Sequence, residues 1–486
     1  MALKKHVAAW GGFDLSTTGL ALGVRSRGGK EAYAQLDVRG ATEWRGEPAF
    51  ELEEIPGMIL DVVEQLRADN WSLDGSTLSF AVRQHDMVLL DRGGRPALPA
   101  LSWQCNAAAN EVDQLRRQGA EDVVGRIEER FILPKLKWAL RAQPAVARRL
   151  DQVMTTGDWI AYMLTGKPRL STSDAISNAL LEQQNKKLAA SVMRKAKVNP
   201  AWFPKVIQSG RAIGPVTRRD VGGTTKVWQQ VKELLAGTTI VAGLGDNHAT
   251  GVGCGLDEHD FGTMVVSAGT SGTVNRVCPS TTELAGGAAC FEYYKNRLLL
   301  MMLADCCKWY DRFVGQFAGK YKRKLDALNA QIDRANLAGI RRVLHRDGAE
   351  SFPPHWKKLS LGEKAASTQF SIMLELLFLV RAMLAEVAGG GAAVNRFVLT
   401  GGLSQSPFFQ QVFHTGVQLL APKSKVLISA RTGPLRYQTA AYGALLNAMR
   451  PKHPQAAAKL CPAKSASRPN SDSRRQLEYL LQSYGL

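Results

Sequence analysis

The chain spells nearly the same short string twice. Asp14-Leu-Ser-Thr-Thr-Gly19 and Ser267-Ala-Gly-Thr-Ser-Gly272 both carry Thr fourth and Gly sixth. Alternating apolar residues flank each, with Phe13, Leu20 and Leu22 around one and Val265, Val266 and Val274 around the other. This pattern predicts a duplicated hairpin, two copies of which would grip a polyphosphate from both sides. Small hydroxyl residues and glycine at a tight turn leave N–H and O–H groups pointing outward, which is how a loop wraps a phosphate chain. Either string alone is an ordinary turn; the repetition is the signal. The copies differ at one telling place. The first opens on a carboxylate and the second on Ser267, so only the N-terminal hairpin can hold a metal ion.

At 486 residues the chain exceeds what one hydrophobic core usually supports. Hydrophobic content of 45% and charged content of 22% are those of a soluble globular protein. The opening MALKKHVAAWGG is basic, but no apolar run follows that would make a secretory signal. Phe370 to Ala388, the most apolar stretch, is interrupted by Glu375, Arg381 and Glu386, so it reads as a helix buried in protein rather than lipid, and no membrane partner is expected. Cysteines at 105, 254, 278, 290, 306, 307 and 461 show neither CxxC nor Cys/His ligand spacing, which predicts a reducing cytoplasm and no structural zinc. The formal charge of +19 is spread along the chain, aromatic content is 7%, and no nucleic-acid-binding signature is present. A solvated basic surface that attracts anionic small molecules such as ATP is the expectation, with nucleic acid excluded as the main partner.

Strand-like and helix-like pieces alternate in both halves, which predicts an α/β chain of two domains. Met58, Ile59, Val62, Val63 and Leu66 recur at helical spacing before a buried strand at Leu78 to Val82. Residues 126 to 195 read as mainly helical, and Thr238 to Gly243 as a strand. Met264 to Ser267, Leu298 to Leu303, Arg396 to Thr400 and Lys425 to Ser429 are strand candidates in the second half. Ser406 and Pro407 mark a helix start, at the N-cap and first helical position. The expected division is 1–255, 256–450 and a basic, partly flexible tail at 451–486. Within that tail 451–472 reads as a linker, ending in a short helix at Arg474 to Leu481.

The sharpest single string is Val241-Ala-Gly-Leu-Gly-Asp-Asn-His-Ala-Thr-Gly251. An apolar strand ends in glycines and delivers Asp246 to a carboxyl edge, where open α/β sheets place ligands. Most such aspartates are N-caps or turn residues. This one lies between the two phosphate-loop candidates, where a carboxylate can accept the proton of an attacking alcohol. A second string, Phe397-Val-Leu-Thr-Gly-Gly-Leu-Ser-Gln-Ser406, ends a strand in glycines that let a flat ring or sugar approach the backbone. Ala440, Ala441, Gly443 and Ala444 put small residues on a helix, which points to close packing on a neighbour.

Taken in order, DLSTTG, RQHDMVLLD, SWQC, ILPKLKW, TSDAIS, GDNHATGVGCG, SAGTSGT, LTGGLSQSP and YQTAAYGA resemble the FGGY carbohydrate kinases, the xylulokinases above all. The resemblance covers about residues 10 to 448. It implies two actin-like (ribonuclease-H-like) ATPase domains with an interdomain active-site cleft for ATP and sugar. A monomer or homodimer is the expectation. It implies Asp246 as catalytic base and Asp14 as a holder of Mg²⁺. Ser16, Thr17, Thr18, Gly269, Thr270 and Ser271 would cradle phosphates, with Gly401, Gly402 and Ser404 near the adenosine. Gln84 and His85 fall where the family contacts the sugar, joined by Trp103, Gln104, Asp246 and Asn247. The departures are specific. Where xylulokinases have Trp-Asn-Asp-x-Arg, this chain has Trp103-Gln104-Cys105-Asn106-Ala107, so a carboxylate and a guanidinium are missing. Ala21 replaces the usual Lys, and 344–362 lacks the Gly-Glu-Arg-Thr-Pro string.

The expectation is an ATP-dependent carbohydrate kinase acting on a ketose, D-xylulose first. Another ketose or a polyol is the alternative substrate. A non-catalytic ATP or sugar sensor and an actin-like or chaperone-type ATPase are the alternatives in kind.

Overall fold

The computed structural model describes residues 6–269, 271–319, 325–345, 349–387, 393–430, 433–454 and 456–486. The chain divides into two compact units. One comprises Met1–Gly255, Phe291–Tyr294 and Thr432–Leu460; the other comprises Leu256–Cys290, Lys295–Arg431 and Cys461–Leu486.

In the first unit Trp10–Leu15, Gly19–Arg25 and Glu31–Asp37 form an antiparallel meander. Thr77–Val82 and then Thr239–Val241 extend the sheet in parallel beyond Trp10–Leu15. Leu244–Gly245 resumes alongside Thr77–Val82. The second unit repeats the plan. Thr263–Ala268, Gly272–Cys278 and Asn296–Leu303 form the meander, and Arg396–Thr400 and Lys425–Ser429 extend it in parallel beyond Thr263–Ala268. The duplicated hairpin is therefore the visible part of a duplicated sheet, with the same spatial order of five strands in each unit.

Parallel neighbours require crossover helices, and apolar periodicity supplies them. Glu54–Ala68 buries Ile55, Met58, Ile59, Val62, Val63 and Leu66 along one face. Each such side chain contributes about 1.5–3 kcal/mol when fully buried. Leu361–Glu386 opens on a capping box between Ser360 and Glu363. With a mean hydropathy of 1.5 it is long and apolar enough to cross a membrane, yet that window is 72% buried within the protein. Its interrupting charges have partners: Glu375 pairs with Arg342, and Glu386 accepts from Gly286 N and Gly287 N at 2.8 and 2.9 Å.

Three sequence expectations meet a different structure. The stretch 126 to 195 is mainly helical but contains the strand Leu150–Met154, paired with Val88–Asp91. Its apolar positions fit either period, and pairing decides. The strand expected at Thr238 to Gly243 ends at Val241 and resumes at Leu244; between them Gly243 approaches the neighbouring strand so closely that a Cβ would stand 2.7 Å from Phe80 O. In the tail, Ala463–Ser465 pairs antiparallel with Lys425–Ser429 inside the expected linker. The helix Ser471–Ser483 then buries Leu477 and Leu481. Edge pairing uses backbone groups, so a Lys-Ala-Ser composition hides it.

The helix Thr439–Met449 follows the second unit's last parallel strand in sequence but packs in the first unit. A Cβ on Gly12 would lie 2.2 Å from Ala441 O, and one on Gly443 would lie 1.7 Å from Ala249 O. Small residues on this helix let it press against both the first strand and the helix Asp246–Gly253.

Candidate active site

Three parallel strand ends converge in the first unit. Asp14 and Leu244 both lie opposite Ala81, one on each side, while Leu15 and Gly245 lie opposite Val82. Asp14 therefore sits at the end of one outer strand, Asp246 follows the other, and Arg83-Gln84-His85-Asp86 leaves the middle one. This is the carboxyl edge at which such sheets bind ligands.

Both outer carboxyls are acid-weakened. Burial first, and the Asp246 charge second, push the Asp14 carboxyl up to about 7. Burial, with Asp86 adding, pushes Asp246 up to about 6, against the opposing pull of the Asn247 N–H and of Arg83. Asn247 N donates to Asp246 Oδ1 at 2.8 Å. Asp14 Oδ1 is buried without a hydrogen-bond partner, which fits a cation ligand. Among the described residues no group of three metal-ligating side chains occurs, so an ion held here would take its other ligands from phosphate and water.

The sugar-side candidates are tied to this edge from beneath. Gln84 Nε2 donates to His248 Nδ1 at 2.7 Å, and Gln84 Oε1 accepts from Asn247 Nδ2 at 3.2 Å, so both ends of its amide link the middle loop to the Asp246 helix. His85 stacks on Phe131 at 4.9 Å. Its Nδ1 meets Asn178 Oδ1 at 3.1 Å, an oxygen that also takes Ile132 N–H, so Nδ1 carries the proton. Burial first, then Arg130, hold the imidazole well below its ordinary value, so it is neutral. Asp86 Oδ1 accepts from Trp103 N at 2.8 Å, and the Trp103 indole donates to Thr17 Oγ1 at 3.1 Å, joining the loop at 102–106 to the first hairpin turn. Gln104 is exposed, with its N–H on Ser102 Oγ.

The turn itself consumes part of its donor set. Ser16 Oγ accepts from Gly19 N at 3.1 Å and Thr18 N at 3.3 Å, while Thr17 and Thr18 stay exposed. In the second unit Thr270 lies outside the described residues. Gly269 O accepts from Cys307 N at 3.0 Å, and Ser271 is half-buried. Gly401, at φ 93°, presses against Ala268, where a Cβ would lie 2.3 Å from its carbonyl oxygen. Gly402 is exposed, and Ser404 is buried with its hydroxyl donated to Gly401 O at 2.6 Å. Ser404 thus shapes the loop. The candidate residues fall into two sets, one in each unit.

Sequence reasoning missed several residues that position the site. Lys135 is fully buried and donates to the carbonyls of His85 at 2.6 Å and Ser102 at 2.9 Å. Burial pulls its ammonium down to about 8. The signal was a lysine on the apolar face set by Ile132, Leu136 and Ala139. Ser173 Oγ accepts from Gly245 N at 2.8 Å, and Asn178 Nδ2 donates to Gln84 O at 2.7 Å, so the helix Thr172–Ser177 and its C-cap hold both loops. The Arg83–Asp86 ion pair is buried. Cys105 is fully buried in an apolar cluster, and Ala107 packs against that cluster.

A sheet plan repeated in two units, with carboxylates at the first unit's carboxyl edge, defines a two-domain actin-like, ribonuclease-H-like protein. Residues 9–253 match the model of the FGGY family of carbohydrate kinases, N-terminal domain. The chain belongs to that family. The xylulose kinase of Lactococcus lactis subsp. lactis is 25% identical over 296 residues, 58% of this chain and 56% of that protein. The chain thus aligns with about half the length of such curated relatives. Among solved structures, a ligand-bound xylulose kinase from Lactobacillus acidophilus matches with TM-score 0.79 at 15% identity, covering 99% of this chain and 97% of the other. A gluconate kinase from the same organism matches at 0.78 and 15%, covering 99% and 96%. These two likenesses show the fold.

Proposed function

We propose that this protein is an ATP-dependent carbohydrate kinase that transfers the γ-phosphoryl group of ATP to a hydroxyl of a ketose, D-xylulose first among candidates. One observation carries the reading: Asp14 and Asp246 end two strands that flank the same middle strand, with Asp246 held at about 6. A carboxylate at that value is ionised at neutral pH yet basic enough to accept a hydroxyl proton. The acceptor oxygen then forms its bond to the γ-phosphorus as the bond to the β-phosphate oxygen breaks, releasing ADP. Asp14 would hold Mg²⁺, which when bound offsets charge on the phosphates. The loops at Ser16 to Thr18, Gly269 to Ser271 and Gly401 to Ser404 would face the nucleotide. Seven cysteines without CxxC or Cys/His ligand spacing support a reducing cytoplasm as its location.

A second acceptor, another ketose or a polyol, is favoured by one feature. Of the positions of the missing carboxylate and guanidinium, 105 is buried in an apolar cluster and 107 packs against it. A coupled ADP-release assay over ketopentoses, ketohexoses, polyols and aldonates, with the product identified by mass, tests the proposal. Sugar-dependent ADP release with a phosphorylated product supports it, and ATP turnover indifferent to every acceptor refutes it.

A further inference from the structure

We propose that Arg83, positioned by Asp86, reads the acceptor's hydroxyls in this chain, taking over from the charged pair that the xylulokinase pattern has at 105 and 107. The inference rests on the kinase reading and names the residue that sets its substrate choice. Arg83 directly follows Val82, so it leaves the middle strand between the ends that carry Asp14 and Asp246. It is 5% exposed, and its guanidinium lies 4.2 Å over the Phe50 ring, which fixes the plane. Nε donates to Asp86 Oδ2. Nη2 is buried and makes no hydrogen bond.

A buried donor without a partner is unfavourable unless a ligand oxygen completes it. Asp86 has both oxygens engaged, one by Arg83 and one by Trp103 N, so it is a positioning residue and Arg83 the binding one. The pair's charge is felt at Asp246, Asp86 raising its carboxyl and Arg83 lowering it. The same loop holds Trp103, whose indole reaches the first hairpin turn. A guanidinium with a fixed plane and a spare N–H suits a polyhydroxylated acceptor, donating to the hydroxyl beside the one that is phosphorylated.

The decisive variant is Arg83→Met/Asp86→Asn. Removing both charges of the buried pair while an amide oxygen at 86 still accepts from Trp103 N preserves folding, whereas removing one member strands a charge. The double variant is expected to melt like wild type and keep its KM for ATP while its KM for the preferred sugar rises about 10- to 100-fold. Arg83→Lys keeps a cation beside Asp86 but loses the fork; it is expected to raise the sugar KM about tenfold and to flatten the ranking of sugars that differ at one hydroxyl. Should the double variant fail to fold, Arg83→Lys carries the same test. Calorimetric titration with D-xylulose and with the best-turned-over sugar separates the two readings. A wild type that turns over sugar while the folded variants match its sugar affinity and ranking overturns the Arg83 inference alone. A wild type that neither binds nor phosphorylates any sugar overturns the kinase reading and this inference with it.

Discussion

Asp14 and Asp246 stand on opposite sides of one strand, with Ala81 opposite both Asp14 and the Leu244 that precedes Gly245-Asp246. Two neighbour spacings put the backbones of Asp14 and Leu244 roughly 10 Å apart, and Asp246 lies two residues further along the chain. The Asp246 charge raises the Asp14 carboxyl, and the two acidities differ for local reasons. Asp246 is stabilised by the Asn247 N–H and by Arg83, whereas Asp14 has a buried oxygen with nothing donating to it. At neutral pH Asp246 is ionised and Asp14 is poised between its two states. That is the division expected of one base and one cation ligand.

Protons and Mg²⁺ therefore compete at Asp14. With its carboxyl at about 7, the Mg²⁺ concentration for half-maximal activity should rise as pH falls below 7, approaching tenfold per unit. Asp14→Asn should raise that concentration and abolish its pH dependence while leaving the sugar KM unchanged. Metal titrations at pH 6, 7 and 8 check this; identical titrations in mutant and wild type would remove Asp14 from the metal site.

Buried carboxyls also set how stability varies with pH. Asp158 is pushed up to about 7 by burial, and Asp174 well above its ordinary value by burial and by Asp158. A raised carboxyl binds more protons in the folded than the unfolded chain. Its contribution is most favourable below the unfolded value near 3.8 and is lost as pH rises through the folded one. Asp174→Asn should thus stabilise the first unit at pH 8 relative to wild type and narrow that gain at pH 5. Urea midpoints at the two pH values measure it, and an equal effect at both would contradict the assignment.

Gly443 is where the helix Thr439–Met449 touches the helix that begins with Asp246. A Cβ there would lie 1.7 Å from Ala249 O, a contact that only backbone movement can relieve. Gly443→Ala is expected to destabilise by about 3 kcal/mol or more, beyond the usual overpacking range because the obstacle is main chain. Thermal unfolding checks this, with Gly286→Ala, which meets nothing within 4 Å but has φ 90°, as a comparison for backbone strain alone.

Lys135 holds the carbonyls of the loops carrying His85 and Trp103. Lys135→Met removes the ammonium and leaves those carbonyls unpaired, which should destabilise by about 3 kcal/mol. The sugar KM should rise more than the ATP KM, since both tethered loops lie on the sugar side of the proposed site. Equal changes in the two KM values would make Lys135 a general core residue.

Much of this architecture was legible because repetition survives in sequence. The two strings at Asp14 and Ser267 predicted a duplication, and the strands Arg396–Thr400 and Lys425–Ser429 fell where their apolar runs lie. What stayed hidden depends on distant pairing. Leu150–Met154 has apolar spacing open to either period until Val88–Asp91 pairs with it. Ala463–Ser465 is an edge strand held by main-chain bonds. The return of Thr439–Met449 to the first unit is decided by Gly12, Gly253 and Gly443, whose meeting no local pattern reveals. The strings around Asp14 and Asp246 pointed to strand ends, where both lie. Arg83, Asp86, Ser173 and Asn178 were not readable, because their meaning lies in partners such as Trp103, Gly245 and His85.

The most direct test of the account is the chemical step in Asp246→Asn. Asparagine keeps the size of the side chain and removes the group that accepts the proton, so single-turnover phosphorylation of the best acceptor should fall by about a thousandfold or more, with ATP affinity unchanged. The wild-type rate should decline below pH 6, where Asp246 takes up its proton, and the residual rate of the variant should lose that dependence. A variant within about tenfold of wild type, or one that keeps the same acid limb, would contradict the assignment of Asp246 as the base.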